Sequence, residues 1–323
     1  MDSIAQYYRE INSGFLNQEM PQKFDIFTQV ENGDEPRFMK FTDYTIDNHD
    51  KIRDLLEQGD GQSYFIHEND LIKYYKDNLI KNLHRKLEKD SDPRELLETA
   101  YGVAVRILKE YLENIGSPRV LRTLSDIVSV VEACLSREDI EFPQVFRFTR
   151  KENHTYTHCV NVGFYCMVLA SKLKMKPEIV RELGLGGMLS DIGKKSVPFE
   201  ILSKSGPLTP EEFKQIRRHP AASKKVLNDM KCFSSNILQM SGEHHEKFNG
   251  EGYPLGLVGE RISLYGRVCA IMDVFSALSS QRYTREPSTL FETLSIMKTQ
   301  MPGHFDERIL VNFIKTLAGK TVA

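Results

Sequence analysis

Apolar and polar positions alternate in two short runs near the start of the chain. Phe24–Val30 and Arg37–Thr42 place apolar side chains at roughly every second residue, the period of a strand with one buried face. Glu31-Asn-Gly-Asp34 between them has turn composition, so the pair predicts a hairpin. A helix is expected from about Asn48 to Gln58, stopped by Gly59-Asp-Gly61, with Ser63–His67 returning as a third strand. From Glu68 the pattern is helical again. From Pro93 it is wholly so: Leu96, Leu97, Ala100, Val103, Ala104, Ile107 and Leu108 recur at helical spacing. Gly116-Ser-Pro118 breaks that helix and starts another, with Leu121, Leu124, Ile127, Val128 and Val131 on its apolar face. Nothing after Glu141 alternates as strand. The fold class expected is therefore α+β: a small N-terminal α/β module (1–90), a helical connector or dimerising pair (91–139), and an all-α helical bundle (140–323).

Composition narrows the function classes. With 43 basic and 45 acidic residues in 323, the net charge is −2, which argues against a protein that coats nucleic acid or lies on a membrane surface. No run approaches the 18 or more apolar residues of a membrane span, and the N-terminus has no apolar segment of the secretory kind. The five cysteines form no CxxC pair, which fits a reduced, cytoplasmic compartment with cysteines as small core residues. A compact N-terminal module without a glycine-rich phosphate loop reads as regulatory or sensory.

The candidate chemistry is a set of histidines and aspartates. His154, His158, His219, His244 and His245 fall within 92 residues, with Ser190-Asp191-Ile-Gly-Lys194 among them and Asp273 beyond. His154 and His158, four apart on a predicted helix, share one face. Adjacent His244 and His245 reach one region only at a helix end or bend. Imidazole and carboxylate without thiolate suit divalent iron, manganese, zinc or nickel. A carboxylate in the middle of such a set can bridge two ions, which about 3.5–4 Å apart activate water and stabilise a leaving oxygen in phosphodiester hydrolysis.

From about residue 140 to 320 the sequence resembles the HD-GYP family of the HD superfamily of metal-dependent phosphohydrolases. The most specific stretch is His244-His-Glu-Lys-Phe-Asn-Gly-Glu-Gly-Tyr-Pro-Leu-Gly-Leu-Val-Gly-Glu-Arg-Ile262. Asp191–Lys194, Val197–Leu202, Gly206–Glu212, His219-Pro220, Asp273–Leu278 and Gly303-His-Phe-Asp306 match in order. The resemblance implies a bundle of about seven helices around a metal centre, with iron or manganese as the two divalent ions. It implies hydrolysis of cyclic di-GMP to linear pGpG or to GMP. Carried over by position, His158 and Asp273 hold the first ion, Asp191 bridges, and His219, His244 and His245 hold the second. Lys194 contacts substrate phosphate, Arg285 phosphate or guanine, and Tyr253 shapes a loop beside the centre that serves substrate binding or partner docking. A signalling protein partner through the Gly-Tyr-Pro loop or the N-terminal module is a further implication; a membrane or a nucleic-acid polymer is not.

Five departures qualify that picture. Ser190 stands where the family has the histidine of its naming motif, a ligand of the first ion. His154 stands where trinuclear members have glutamate, and one expectation is that it swings in to replace the missing ligand. Thr284 stands where the family has tyrosine, and Ser276 and Ser223 replace the usual aspartate and glycine. Two alternatives to a cyclic di-GMP phosphodiesterase therefore stand beside it: a slow or inactive binding and scaffold module, and a phosphohydrolase acting on another nucleotide. Glu243 and Glu246, flanking the paired histidines, are expected to be solvated acids, with the orienting of an imidazole as the alternative.

Overall fold

A computed structural model describes residues 7–11, 16, 23–32, 35–42, 63–89, 91–114, 117–137, 140–149, 154–204, 206–280 and 289–318. The N-terminal part is a four-stranded antiparallel sheet of β1 (Tyr8–Ile11), β2 (Ile26–Asn32), β3 (Glu35–Thr42) and β4 (Tyr64–His67), in the order β1-β4-β2-β3. The predicted hairpin is β2–β3 and the predicted third strand is β4. Strand β1, four residues with a single apolar alternation, had too little pattern to be read. The helix expected over 48–58 lies outside the described residues.

One sheet face carries aromatic rings: Tyr8 stacks on Phe38 at 4.1 Å and meets Phe27 edge-on at 4.9 Å. The other buries Ile26, Tyr64 and Ile66 towards a helical run that starts with α1 (Leu71–Tyr74), passes through a π-helical stretch (Tyr75–Ile80) and ends in α2 (Lys81–Glu88). Asp92 then caps α3 (Pro93–Glu113), accepting from the Arg94 amide with Pro93 in the first turn. All seven apolar positions read from the α3 sequence are buried.

The rest of the described chain is helical: α4 (Leu124–Arg137), α5 (Phe142–Thr149), α6 (Thr155–Lys172), α7 (Pro177–Leu189), α8 (Phe199–Leu202), α9 (Pro210–Ile216), α10 (His219–Met230), α11 (Ser235–Glu243), α12 (Leu264–Ser279), α13 (Leu290–Thr299) and α14 (Glu307–Leu317). Its one β feature among the described residues is a bridge between Asn249 and Val258. The α3 and α4 helices pack onto this bundle. The Tyr101 hydroxyl donates to Asn161 Oδ1 on α6 at 2.9 Å, and the Tyr101 ring meets Phe164 at 5.5 Å.

Helix α6 is the centre of the bundle, buried over nearly its whole length. Its closest neighbour is α7, and the approach depends on glycines. A Cβ on Gly163 would lie 2.6 Å from the Gly184 carbonyl oxygen, and one on Gly187 would lie 2.9 Å from Gly163 Cα. On the far side, Phe142, Tyr165, Phe275 and Phe313 form a ring cluster with centroids 5.0–5.6 Å apart, tying α5, α6, α12 and α14 together. Each such pair adds about 0.5–1.5 kcal/mol beyond simple burial.

The Gly303–Asp306 block serves the fold. Asp306 is buried, accepts from the Arg308 amide at the start of α14, and pairs with Arg267 at 2.7 Å. Burial works against its charge, but the hydrogen bond from Arg267 and the Arg308 amide hold its carboxyl below the usual range.

Two outcomes follow for stability. Gly163→Ala is expected to lower stability by about 1–3 kcal/mol, because overpacking against a backbone carbonyl outweighs the gain in helix propensity; thermal unfolding by circular dichroism measures it. Asp306→Asn is expected to cost about 1–3 kcal/mol at neutral pH. A depressed folded pKa contributes stability in full above the unfolded aspartate value of about 3.9 and loses it as pH falls through the folded value. The difference between wild type and variant should therefore shrink as urea titrations are taken from pH 6 to below about 4.

Candidate metal centre

Five elements deliver the polar cluster. His158 comes from the first turn of α6, and Asp191 from the residue pair that ends α7 and leads into a 3-10 segment (Ile192–Ser196). His219 opens α10, which follows α9 by two residues. Helix α9 itself is set by a reciprocal cap, the Thr209 hydroxyl accepting from the Glu212 amide and the Glu212 carboxylate accepting from the Thr209 amide. His244 and His245 come just after α11 ends at Glu243, so the adjacent pair does sit at a helix end. Asp273 lies on α12, between Met272 and Val274 and close to the ring of Phe275 that anchors the helix.

The backbone around Asp191 is held as tightly as its side chain. A Cβ on Gly193 would fall 2.3 Å from the His219 carbonyl oxygen and 2.5 Å from the Ser223 amide nitrogen, so glycine permits the 3-10 segment to lie against α10. Ser223 Oγ accepts from the Gly193 amide at 2.8 Å, which gives a structural role to a residue that departs from the family pattern.

Two groups of ligand atoms result, each within 4.8 Å: Asp191, His219, His244 and His245 in one, and His158, Asp191 and Asp273 in the other. Asp191 belongs to both. Its Oδ1 faces His219 Nε2 at 2.9 Å and His244 Nε2 at 3.5 Å. Its Oδ2 faces Lys194 Nζ at 2.6 Å and His158 Nε2 at 3.6 Å. His158 Nε2 lies 2.9 Å from Asp273 Oδ1, and His245 Nδ1 lies 3.6 Å from Asp273 Oδ2.

The donor set fits cations. His219 Nδ1 donates to the Ile216 carbonyl at 2.7 Å and His244 Nδ1 to the Ser241 carbonyl at 2.9 Å. A carbonyl can only accept, so Nδ1 carries the proton of each neutral ring and Nε2 then keeps its lone pair, and the two Nε2 atoms lie 3.1 Å apart. Asp191 Oδ1, beside them, is buried with no hydrogen-bond donor. Three lone-pair-bearing atoms converge with no proton to share, an arrangement that a bound cation satisfies. His158 Nδ1 lies 3.0 Å from Ser276 Oγ, which orients that ring as a carboxylate does elsewhere.

Charge states agree. Burial pushes His219 below its ordinary value, and burial together with His244 pushes His245 well below it, so both rings are neutral and ligand-ready at neutral pH. Burial opposes the Asp191 charge, but Lys194 keeps the carboxyl well below the usual range. Lys194 is raised in turn: burial works against it, and Asp191 and then Asp273 outweigh burial.

The structure brings together His158, Asp191, Lys194, His219, His244, His245 and Asp273, and lays the Tyr253 ring 4.8 Å from that of His245. His154 is not brought in. It caps the exposed start of α6 and stacks on Tyr156 at 4.9 Å, because Thr157 holds its backbone amide and the ring has turned outward. Arg285 and Thr284 lie outside the described residues. Ser190 is buried and its hydroxyl donates back to the Gly187 carbonyl at 2.9 Å, beside the Cys269 thiol.

Glu246 corrects the sequence reading: it is buried, and its two oxygens accept from the Leu255 amide at 2.6 Å and the Leu257 amide at 2.9 Å, holding the Gly-Tyr-Pro loop. Glu243 accepts from the Ser263 amide at 2.8 Å, at the start of α12.

A helical bundle closed around a shared buried aspartate defines a protein of the HD type. The HD domain family model matches residues 126–309, and the chain belongs to that family. Its 244–262 block places it among the HD-GYP proteins. It is 36% identical to a cyclic di-GMP phosphodiesterase of Pseudomonas aeruginosa over 193 residues, 60% of this chain and 46% of that protein. It is 38% identical to 3'3'-cGAMP-specific phosphodiesterase 1 of Vibrio cholerae over 160 residues, 49% of this chain and 37% of that protein. The chain thus spans less than half the length of these two relatives. Among solved structures, an HDG"Y"P protein from Bdellovibrio bacteriovorus shares the fold, with a TM-score of 0.65, 19% identity, and coverage of 97% of this chain and all of that one.

His154→Ala is expected to leave metal content unchanged, whereas Asp191→Asn lowers it to less than half, since one carboxylate serves both groups. Elemental analysis by plasma mass spectrometry of the full chain reads both.

Proposed function

We propose that the chain is a metal-dependent phosphodiesterase acting on cyclic di-GMP through a dinuclear centre of iron or manganese. The observation that carries this is Asp191, whose two oxygens face two separate ligand groups. His158 and Asp273 would hold one ion and His219, His244 and His245 the other. Bound there, the ions would supply Lewis acidity towards a phosphodiester and lower the pKa of water. The relatives named as phosphodiesterases of cyclic dinucleotides support the substrate class.

The chain's own residues do the rest. Lys194, charged and beside Asp191 Oδ2, neutralises negative charge that grows on the phosphate oxygens. The Nδ1 bonds of His219 and His244 to backbone carbonyls fix those rings before substrate arrives. Tyr253, held by the Glu246-braced loop and by its amide's bond to the His245 carbonyl, walls one side. Residues 1–90 form a regulatory module in this reading, 91–139 its connector and 140–323 the HD-GYP domain. Lys195, next to the substrate lysine, donates to the Tyr111 and Asn114 carbonyls at the end of α3, which gives the connector a direct hold on the 3-10 segment.

Ser190 favours a second reading, a module that binds cyclic di-GMP with little turnover, because a neutral hydroxyl that donates to the Gly187 carbonyl stands where an imidazole ligand is expected. Chromatography of cyclic di-GMP incubated with protein loaded anaerobically with iron or manganese separates the two. Linear product that falls more than about a hundredfold in Asp191→Asn, and about a hundred- to a thousandfold in Lys194→Ala with metal retained, supports the enzyme. Absence of product from fully metallated protein overturns it and leaves the binding module.

A further inference from the structure

Three arginines of the helical bundle answer an acid: Arg181 pairs with Glu132, Arg267 with Asp306, Arg308 with Glu260. Arg217 does not. It is exposed, and among the described residues no carboxylate or hydrogen-bond acceptor engages its side chain. What holds it is aromatic. Its guanidinium sits 4.6 Å above the centre of the Tyr253 ring and 5.8 Å from that of Phe213. Tyr253 lies in turn 4.8 Å from His245, a member of the metal centre, with the rings tilted by 33°. Its backbone is equally fixed: Arg217 ends α9, its amide donating to the Phe213 carbonyl at 3.0 Å, two residues before His219.

Ring contacts use the faces of a guanidinium and leave its five edge N–H donors free. They also restrict the side chain, so less freedom is lost when those donors find a partner. The result is a charged, fork-shaped donor, pre-set two stacked layers outward from His245. Planar N–H pairs of this kind match the oxygens of a phosphodiester, and the occupied faces leave little room for a base to stack.

We propose that Arg217, mounted on Tyr253, is a binding site for the second phosphate of a cyclic dinucleotide, the one that is not cut. The inference rests on the phosphodiesterase reading above. A cyclic dinucleotide carries two phosphodiesters, and only one can lie beside Lys194 at the centre. The other is left at the rim, where Arg217 supplies the charge. The site separates cyclic dinucleotides from substrates with a single phosphodiester.

The test compares wild type, Arg217→Ala and Arg217→Lys as metal-loaded full chains on cyclic di-GMP and on bis(p-nitrophenyl) phosphate, which has one phosphodiester. In Arg217→Ala the ratio of kcat/KM for the dinucleotide to kcat/KM for the small diester should fall about ten- to a hundredfold, the size of one charged hydrogen-bonded contact, through KM more than kcat. Arg217→Lys should recover part of it, having the charge without the fork. An unchanged ratio, or equal loss on both substrates, overturns the proposal while leaving the phosphodiesterase reading in place. Where wild type cleaves neither substrate, the phosphodiesterase reading fails on its own. Calorimetric titration with cyclic di-GMP then decides: a Kd at least tenfold weaker in Arg217→Ala sustains the site, and an equal Kd or no binding by wild type overturns it.

Discussion

A single buried carboxylate organises this molecule. Asp191 sits at the end of one helix with one oxygen turned to His219 and His244 and the other to His158 and Lys194. Burying such a charge is costly unless every lone pair finds a positive partner. Lys194 satisfies one oxygen. The other faces two imidazole nitrogens whose rings donate from Nδ1 to backbone carbonyls, an arrangement that a cation between them would satisfy.

The packing serves that geometry. Gly163 and Gly187 let α6 and α7 approach at backbone distance, bringing the helix that carries His158 beside the one that ends at Asp191. Gly193 does the same for the 3-10 segment and α10, bringing Asp191 to His219. The ring cluster around Phe275 anchors α12 and with it Asp273. Where a histidine is missing, the space near Ser190 is occupied by the thiol of Cys269 with Cys166 beside it, and the helix is closed on itself by the Ser190–Gly187 bond. The first ligand group is accordingly the smaller one.

The N-terminal sheet is joined to this centre by a short mechanical route. Arg9 on β1 pairs with Glu110 on α3 at 2.6 Å, and Glu110 also accepts from Asn114 Nδ2 at 2.9 Å. The Asn114 carbonyl in turn accepts from Lys195. These contacts link the sheet to the helix end that holds the segment bearing Lys194.

Much of the site was legible before any coordinates, because histidines, aspartates and a glycine-rich loop are rare in such an order and each carries its chemistry in its side chain. The strands of the hairpin and the apolar face of α3 were legible too, since burial of one face imposes a period that shows in the residues themselves. Strand β1 was not, being too short to express a period and existing only because β4 lies beside it. The outward turn of His154 was not, because a spacing of four permits a shared face only inside a helix, and this residue falls just before α6 begins. The buried role of Glu246 and the unclaimed donors of Arg217 were not, because both depend on which partners folding brings near. Residue identity decides what a side chain can do; whether anything stands within reach to do it with is decided by contacts between segments far apart in the chain, and those exist only in the folded state.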